Sequence, residues 1–349
     1  MKGKVAVAMS GGVDSTVAAA ILVHAGFEVA GVTMRLWGGE RESAPMVKAA
    51  ADACSALGIH HEVFDVSENF RKSVVENFLG EYVAGRTPNP CVRCNEKIKF
   101  GALLKLAGLM GADRLATGHY ARILVEGGTD NRALMKALDV TKDQSYFLYR
   151  LGQKQLVSSI FPVGEMTKDE VREMARALGL PNAERAESQE VCFIPDNDYR
   201  AFIRRELPLL KQSGRFVDTD GNPVGEHEGV AFYTIGQRRG LNVSSPEGRQ
   251  YVVRRNADTG DITLGTQDDL MATGAVVGET NIVSGETLTG QFDVDVKIRY
   301  RMREVRATIR PDGENIRIAF REPVSGISPG QSAVFYRGDR VVGGGILLR

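Results

Sequence analysis

Apolar and polar positions change their period partway along the chain. Up to about residue 120, short apolar runs alternate with amphipathic stretches of helical length. The run Val5–Met9 (VAVAM) ends in a glycine-rich turn, and Ser15–Gly26 (STVAAAILVHAG) then reads as a helix stopped by Gly26. Val29–Met34 (VAGVTM) is a second strand, APMVKAAADACSALG a helix, HHEVFDV a third strand, and Ser67 to Val83 another helix. KIKFGALLKLAGLMG is helical and leads into the strand-like Arg114–Gly118 (RLATG). Strands separated by helices of this length predict a doubly wound α/β domain with a parallel sheet. Helical patterning continues from Gln144 through TKDEVREMARALGLP, where Thr167 caps a helix that Gly179 and Pro181 end.

After about residue 200 the grammar is that of β structure. A stretch rich in glycine and turn pairs (RFVDTDGNPVGEHEGVAFYTIGQRRGL) precedes short runs with alternating polarity: YVVRR, DITLG, FDVDVKIRY, EVRATIR, IRIAF, SAVFYR and RVVGGGILLR. Such spacing predicts a small all-β barrel or sandwich. The expected organisation is a domain over 1–199, a small mixed connector over 200–265, and a C-terminal all-β barrel over 266–349.

Composition narrows the class only a little. The 349 residues are 43% hydrophobic and 25% charged, ordinary for a globular protein. No apolar run approaches the roughly 20 residues of a membrane helix. The start MKGKVAVAMSGG has too short an apolar stretch for a signal peptide, so no membrane partner is expected. Four cysteines in such a chain are no disulfide framework and read as cytosolic thiols, which places the protein in the cytoplasm. With 44 basic and 44 acidic residues, a nucleic-acid partner would need local basic patches.

The hexapeptide Ser10–Ser15 (SGGVDS) sits where the first strand ends and the first helix begins. Its glycines allow a tight turn and close approach of backbone to a ligand, while the hydroxyls and helix N-terminus offer donors to an anion. Asp14 would repel phosphate unless a divalent cation intervened, which points to Mg²⁺. A Walker A loop is excluded because its G-K-[ST] ending is missing. The hexapeptide resembles the phosphate loop of the PP-loop ATP pyrophosphatases, which adenylate an acceptor. That loop alone fits small-molecule synthetases and amidotransferases as well as tRNA thiolases.

Further motifs narrow the resemblance. GRTPNPCVRCNEKIKF, ATGHYAR (116–122), KDQSYFL (142–148), ESQEVCFI (187–194) and YTIGQRRGL (233–241) occur in the order seen in the bacterial tRNA-specific 2-thiouridylases, and the similarity spans essentially the whole chain. The resemblance implies that ATP adenylates the C2 oxygen of the wobble uridine of tRNA, and that sulfur then displaces AMP. It implies an ATP site of Ala8, Met9, Ser10, Gly11, Gly12, Val13, Asp14, Ser15, Met34 and Gly118. It implies tRNA contacts at Asn89, Pro90, Cys91, His119, Lys142, Asp143, Gln144, Arg299, Tyr300 and Gln331. Basic clusters support a nucleic-acid partner: Arg200, Arg204, Arg205, Lys211 and Arg215; then Arg238, Arg239, Arg249, Arg254 and Arg255; then Lys297, Arg299, Arg301, Arg303 and Arg306. The bland alternative for the last of these is a solvated strand face.

The cysteines carry the sulfur step. By resemblance, Cys192 takes sulfur from a donor as a persulfide, and Cys94 attacks it to leave a Cys94–Cys192 disulfide or free sulfide. Arg93, Lys97 and Lys99 are expected to give both thiols thiolate character. Many relatives have Asp where this chain has Cys91, so C-x-x-C is a departure. Zinc would need a fourth ligand, for which His119 is the candidate. A Cys91–Cys94 redox pair is weakened because the motif reads as a proline-rich loop and not a helix start. A [4Fe–4S] cluster on Cys91, Cys94 and Cys192 stays open, by resemblance to related tRNA thiolases. Cys54, mid-helix, reads as a buried small hydrophobe.

Overall fold

The computed structural model describes residues 2–127, 130–185, 191–194, 198–210, 213–243 and 248–348. The expected α/β domain is present. Its sheet takes β1 (Lys4–Ala8), β2 (Glu28–Arg35), β3 (His60–Asp65) and β4 (Arg114–Ala116), joined later by a short strand at Ser159–Ile160. All pairings are parallel, and β1 lies between β2 and β4. The apolar runs follow from this placement: a strand covered by helices on both faces has no solvent side on which to alternate. Helices α1 (Val13–His24) and α2 (Gly39–Ala56) supply the connections, and Cys54 on α2 is buried in the core with Met9 and Val29. Because β1 is flanked by β2 and β4, the chain leaves the ends of β1 and β4 in opposite directions. Open sheets of this kind hold ligands in that crevice.

Two further helices line the crevice. Helix α3 runs over 67–83 with Arg71–Val75 in π register, and α4 runs over 90–109 with Cys94–Leu103 in π register. The start of α4 corrects the loop reading of the C-x-x-C motif. Asn89 Oδ1 accepts from Val92 N at 3.3 Å and Pro90 takes the first helical position, a helix N-terminus in which Cys91 and Cys94 fall in the opening turns.

Between β4 and the next helix lies a hairpin of β5 (Ala121–Val125) and β6 (Arg132–Lys136), where the sequence pattern showed no strands. It leaves the parallel sheet and pairs with the C-terminal sheet through Met135 opposite Arg340. The region after Gln144 is less helical than its pattern: a single turn at Ser145–Phe147, α5 (Gln153–Val157), the edge strand β7 (Ser159–Ile160), then α6 (Lys168–Ala177). Helix α6 starts as expected, on a reciprocal Thr167–Glu170 capping box.

After α7 (Tyr199–Glu206) comes a four-stranded sheet ordered β10-β11-β8-β9, from β8 (Gly214–Val217), β9 (Pro223–His227), β10 (Tyr251–Arg255) and β11 (Ile262–Gly265). The C-terminal barrel is closed and antiparallel: β12 (Met271–Ile282), β13 (Phe292–Lys297), β14 (Val305–Asp312), β15 (Asn315–Ser325), β16 (Ser332–Arg337) and β17 (Arg340–Leu347), with β12 pairing β17 to close the ring. Closure removes sheet edges, and its interior is filled by Val296, Ile309, Ile318 and Phe335. Neither β module stands apart. One core joins Phe70 and Phe78 of α3 to Phe216 and Val252, and a second joins Phe100 and Leu115 to Val334 and Tyr336. Among the described residues no helix is long and apolar enough to cross a membrane.

Candidate active site

The phosphate loop lies at the crevice between β1 and β4. Ser10 Oγ and Ser15 Oγ are 3.2 Å apart, Ser15 Oγ donates to Gly12 O at 3.0 Å, and Gly12 ends the loop at the N-terminus of α1. Gly11 has φ +70°, a conformation that disfavours a side chain. Gly118, just past β4, packs directly on this loop. A Cβ there would lie 2.7 Å from both Asp14 C and Ser15 N. Ala8, Met9 and Val13 complete the turn, and Met34 stands half-buried at the end of β2.

Asp14 is engaged by groups that sequence reasoning did not find. Its Oδ1 accepts from Lys168 Nζ at 2.6 Å and from Tyr120 Oη at 2.8 Å. Lys168 opens α6 and is only 6% exposed, so its charge faces the loop and not water. Gln144 fixes Tyr120 in turn, through Tyr120 N to Gln144 Oε1 at 3.0 Å and Gln144 N to Tyr120 O at 2.8 Å. The tail after α6 holds the opposite side of the loop. Arg185 Nη1 donates to Gly11 O at 2.9 Å, and Asn182 Nδ2 to Gly11 O at 3.2 Å and Thr16 Oγ1 at 2.6 Å.

His119 links this end of the site to the thiols. It is buried, its Nδ1 is 2.7 Å from Thr117 Oγ1, and its Nε2 is 3.3 Å from Lys99 Nζ. An ammonium can only donate, so Nε2 is the acceptor and Nδ1 carries the proton. Burial, with Lys99 beside it, holds the imidazole pKa well below the ordinary histidine value. In π register the i→i+5 ladder stacks Lys99 one turn above Cys94, whereas in an α-helix five residues would carry it about 140° around the axis.

All four cysteines are free thiols; Cys54 and Cys94 are buried, Cys91 and Cys192 exposed. Expectation and structure part here. Burial pushes the Cys94 thiol up to about 12 and Cys192 up to about 11, and raises Cys91, with Lys99 opposing in each case. Arg93 and Lys97 do not serve the thiols as expected. Arg93 pairs with Glu279 at 2.7 Å and Lys97 with Glu96 at 2.9 Å, so Lys99 is the cation that acts on them. Cys91 and Cys192 keep solvent exposure, yet the surrounding protein desolvates both thiols. Cys192 is moored by its neighbours Phe193 and Ile194, which pack in the same core as Cys94 and Ile98. The Glu187–Glu190 part of the ESQEVCFI motif lies outside the described residues. Among the described residues no three His, Cys, Asp or Glu side chains gather closely enough to hold a metal ion, so neither a cluster on Cys91, Cys94 and Cys192 nor a zinc completed by His119 is supported.

The expected tRNA contacts divide. Asp143 is buried and accepts from Ala137 N, Ser145 N and Ser145 Oγ at 2.8–3.2 Å, which holds a turn and leaves little for a ligand. Gln331 Nε2 donates to Thr87 O and Pro88 O, and Arg299 Nη2 to the Ser325 and Gly326 carbonyls. Tyr300 packs on Phe147 with ring centroids 4.4 Å apart, and Lys142 is half-buried nearby. Several cations of the basic stretches are already paired, among them Arg204 with Glu228 and Arg215 with Asp261. Lys211 lies outside the described residues. Arg238, Arg239, Arg249, Arg254, Arg301 and Arg303 are exposed and make no ion pair among the described residues.

Comparison with known proteins agrees with this layout. Residues 3–196 match the family model described as tRNA methyl transferase HUP domain, residues 200–266 its PRC-barrel domain, and residues 273–347 the aminomethyltransferase beta-barrel domain. The tRNA-specific 2-thiouridylase MnmA 1 of Caldanaerobacter subterraneus subsp. tengcongensis is 46% identical, over 99% of this chain and 98% of its own. This chain belongs to the tRNA-specific 2-thiouridylase family. The MnmA proteins of Treponema denticola and Clostridium acetobutylicum are 43% and 42% identical, each over 99% of this chain and over 97% and 100% of their own. The three family models follow one another in the order of the doubly wound domain, the four-stranded sheet and the closed barrel.

Proposed function

We propose that this chain is a 2-thiouridylase that uses ATP to thiolate C2 of the wobble uridine of tRNA in the cytoplasm. One observation carries the reading: the phosphate loop and the thiols are two ends of one site. Gly118 packs on Asp14 and Ser15, the next residue His119 meets Lys99, and Lys99 stands one turn from Cys94.

ATP would lie across the ends of β1 and β4, its phosphates on the Ser10–Ser15 loop and its adenosine between Met34 and Gly118. Uridine O2 attacks the α-phosphate and pyrophosphate leaves toward the N-terminus of α1, where Lys168 and Arg185 offer positive charge. Mg²⁺ fits here, since it takes one or two carboxylates plus phosphate oxygens, and Asp14 supplies one; it would neutralise charge on the leaving pyrophosphate. AMP is then the leaving group at C2. The terminal sulfur of a Cys192 persulfide bonds to C2 while Cys94 bonds to the inner sulfur. This gives 2-thiouridine, AMP and a Cys94–Cys192 disulfide. A persulfide carrier is the donor, handing its outer sulfur to the Cys192 thiolate; sulfide would serve only by opening the Cys94–Cys192 disulfide, which gives the Cys192 persulfide and a Cys94 thiolate. The tRNA would lie over the exposed arginines of the two β modules, with Asn89 and Pro90 near its target base.

The test is a split between half-reactions. Cys192→Ser and Cys94→Ser should form no 2-thiouridine, by mass spectrometry of digested tRNA, while still releasing pyrophosphate in the presence of tRNA. Full 2-thiouridine formation by either variant would sink the proposal.

A further inference from the structure

The third thiol of the site, Cys91, has no task in that cycle. Its placement suits one. Cys91 and Cys94 occupy the first turns of α4 at i and i+3, on one helix face, with Cβ atoms about 5–6 Å apart in such a pair. A disulfide needs Cβ atoms at about 3.5–4.5 Å, which a small tightening of the first turn supplies. Cys91 is exposed and Cys94 buried. Cys192 lies between Val191 and Phe193, which pack on the core that contains Cys94. A thiolate at Cys91 would be felt at Cys192, and thiolates at either would be felt at Cys94, so the thiols share one neighbourhood.

We propose that Cys91 is a resolving thiol that moves the disulfide left by sulfur transfer off Cys192 and onto the Cys91–Cys94 pair. The inference rests on the thiolation reading above. In the step, Cys91 sulfur bonds to Cys94 sulfur, the Cys94–Cys192 bond breaks, and Cys192 leaves as thiolate. The proton lost by Cys91 is matched by the one that Cys192 takes up, and no electrons enter or leave. Cys192 is then ready to accept sulfur again. An external dithiol reduces Cys91–Cys94, becoming a disulfide itself, and it finds an exposed sulfur at Cys91 to attack.

The experiment takes the full-length protein through one round with ATP, tRNA and a persulfide donor, without added reductant. The mixture is quenched in acid, alkylated and mapped by mass spectrometry. The Cys91–Cys94 disulfide should exceed Cys94–Cys192 at least tenfold, with Cys192 alkylated. Cys91→Ser should accumulate Cys94–Cys192 instead, and its later rounds should recover at least tenfold on addition of dithiothreitol. A lasting Cys94–Cys192 disulfide in the native protein, with Cys91 alkylated, overturns the proposal. If 2-thiouridine has formed in that sample, the thiolation reading survives; absence of both 2-thiouridine and any disulfide overturns the two together.

Discussion

Replacing Gly118 by alanine adds one methyl group at the place where the end of β4 touches the phosphate loop. The new Cβ would sit 2.7 Å from Asp14 C and Ser15 N and 3.0 Å from Asp14 Cβ. Ordinary contact begins near 3.4 Å, so the loop or the strand end must yield by about 0.7 Å. The atoms in the way are backbone and cannot rotate aside. Overpacking of this kind costs about 1–3 kcal/mol of stability. The effect on chemistry should be larger, because a shift near 1 Å in a positioned reactant can cost about 100-fold in rate. Gly80→Ala is the control: Gly80 lies in the exposed interior of α3 with nothing within 4 Å of its would-be Cβ. That change should be neutral or stabilise by up to about 1 kcal/mol. The assay is tRNA-dependent AMP release, with urea unfolding in parallel. Gly118→Ala should lose about 100-fold in kcat/KM for ATP while remaining folded. Native ATP turnover in Gly118→Ala would refute the claim that this contact sets the loop.

Lys168→Met removes the ammonium at 2.6 Å from Asp14 and should slow AMP release at least tenfold. Because the Asp14 side chain stays 31% exposed, its stability cost in urea unfolding should be nearer 1–2 kcal/mol than that of a sealed ion pair. Arg238→Gln with Arg239→Gln should weaken tRNA binding and flatten the plot of log K against log salt by about 0.7–0.9 per lost phosphate contact, read by filter binding across a salt series. Acidification should destabilise the protein through His119. Its folded pKa is depressed, so below about pH 6.5 the unfolded chain takes up a proton that the folded chain refuses. Stability is therefore complete above that pH and falls by up to about 1.4 kcal/mol per unit below it. His61 and His227, also depressed by burial, add the same sign. Urea midpoints at pH 7.5 and 5.5 should differ less in His119→Gln than in the parent.

Local signals were legible where one segment settles its own structure. The Thr167–Glu170 capping box, the strand that ends in SGG and the alternating runs of the barrel each carry their periodicity within a dozen residues. The misses come from partners far along the chain. Met271–Ile282 (MATGAVVGETNI) has no clean alternation and is a strand because β15 and β17 flank it and close the ring. The β5–β6 hairpin is ordered by a barrel that begins well over a hundred residues later. Lys168, quoted only as part of a capped helix, and Arg185, quoted nowhere, reach the phosphate loop across 154 and 174 residues. The start of α4 was legible and misread: N-P before an apolar position is a cap and a first helical residue, and proximity to a second proline made it look like loop. Lys99 was named for the right reason, but its two basic neighbours were not separable from it without Glu96 and Glu279 in view.

That misread segment also explains why a thiolation site would carry two β modules. Thr87 and Pro88 immediately precede the Asn89 cap, and both modules grip them. From the four-stranded sheet, Arg255 is buried and donates to Thr87 Oγ1 at 2.6 Å and to Tyr233 O at 2.5 Å. Burial without a carboxylate among its hydrogen-bond partners lowers its pKa to about 10. From the closed barrel, Pro329 O accepts from Thr87 N at 2.7 Å, and Gln331 Nε2 donates to the Thr87 and Pro88 carbonyls. The first turn of α4, and with it Cys91 and Cys94, is thus held from both sides by the modules whose exposed arginines are the proposed tRNA surface. A displacement of either module on binding tRNA would be delivered to the helix start within a few residues of the thiols. The arrangement therefore ties the sulfur end of the site to the proposed tRNA surface, while Lys168 and Arg185 hold the phosphate loop through a separate set of contacts.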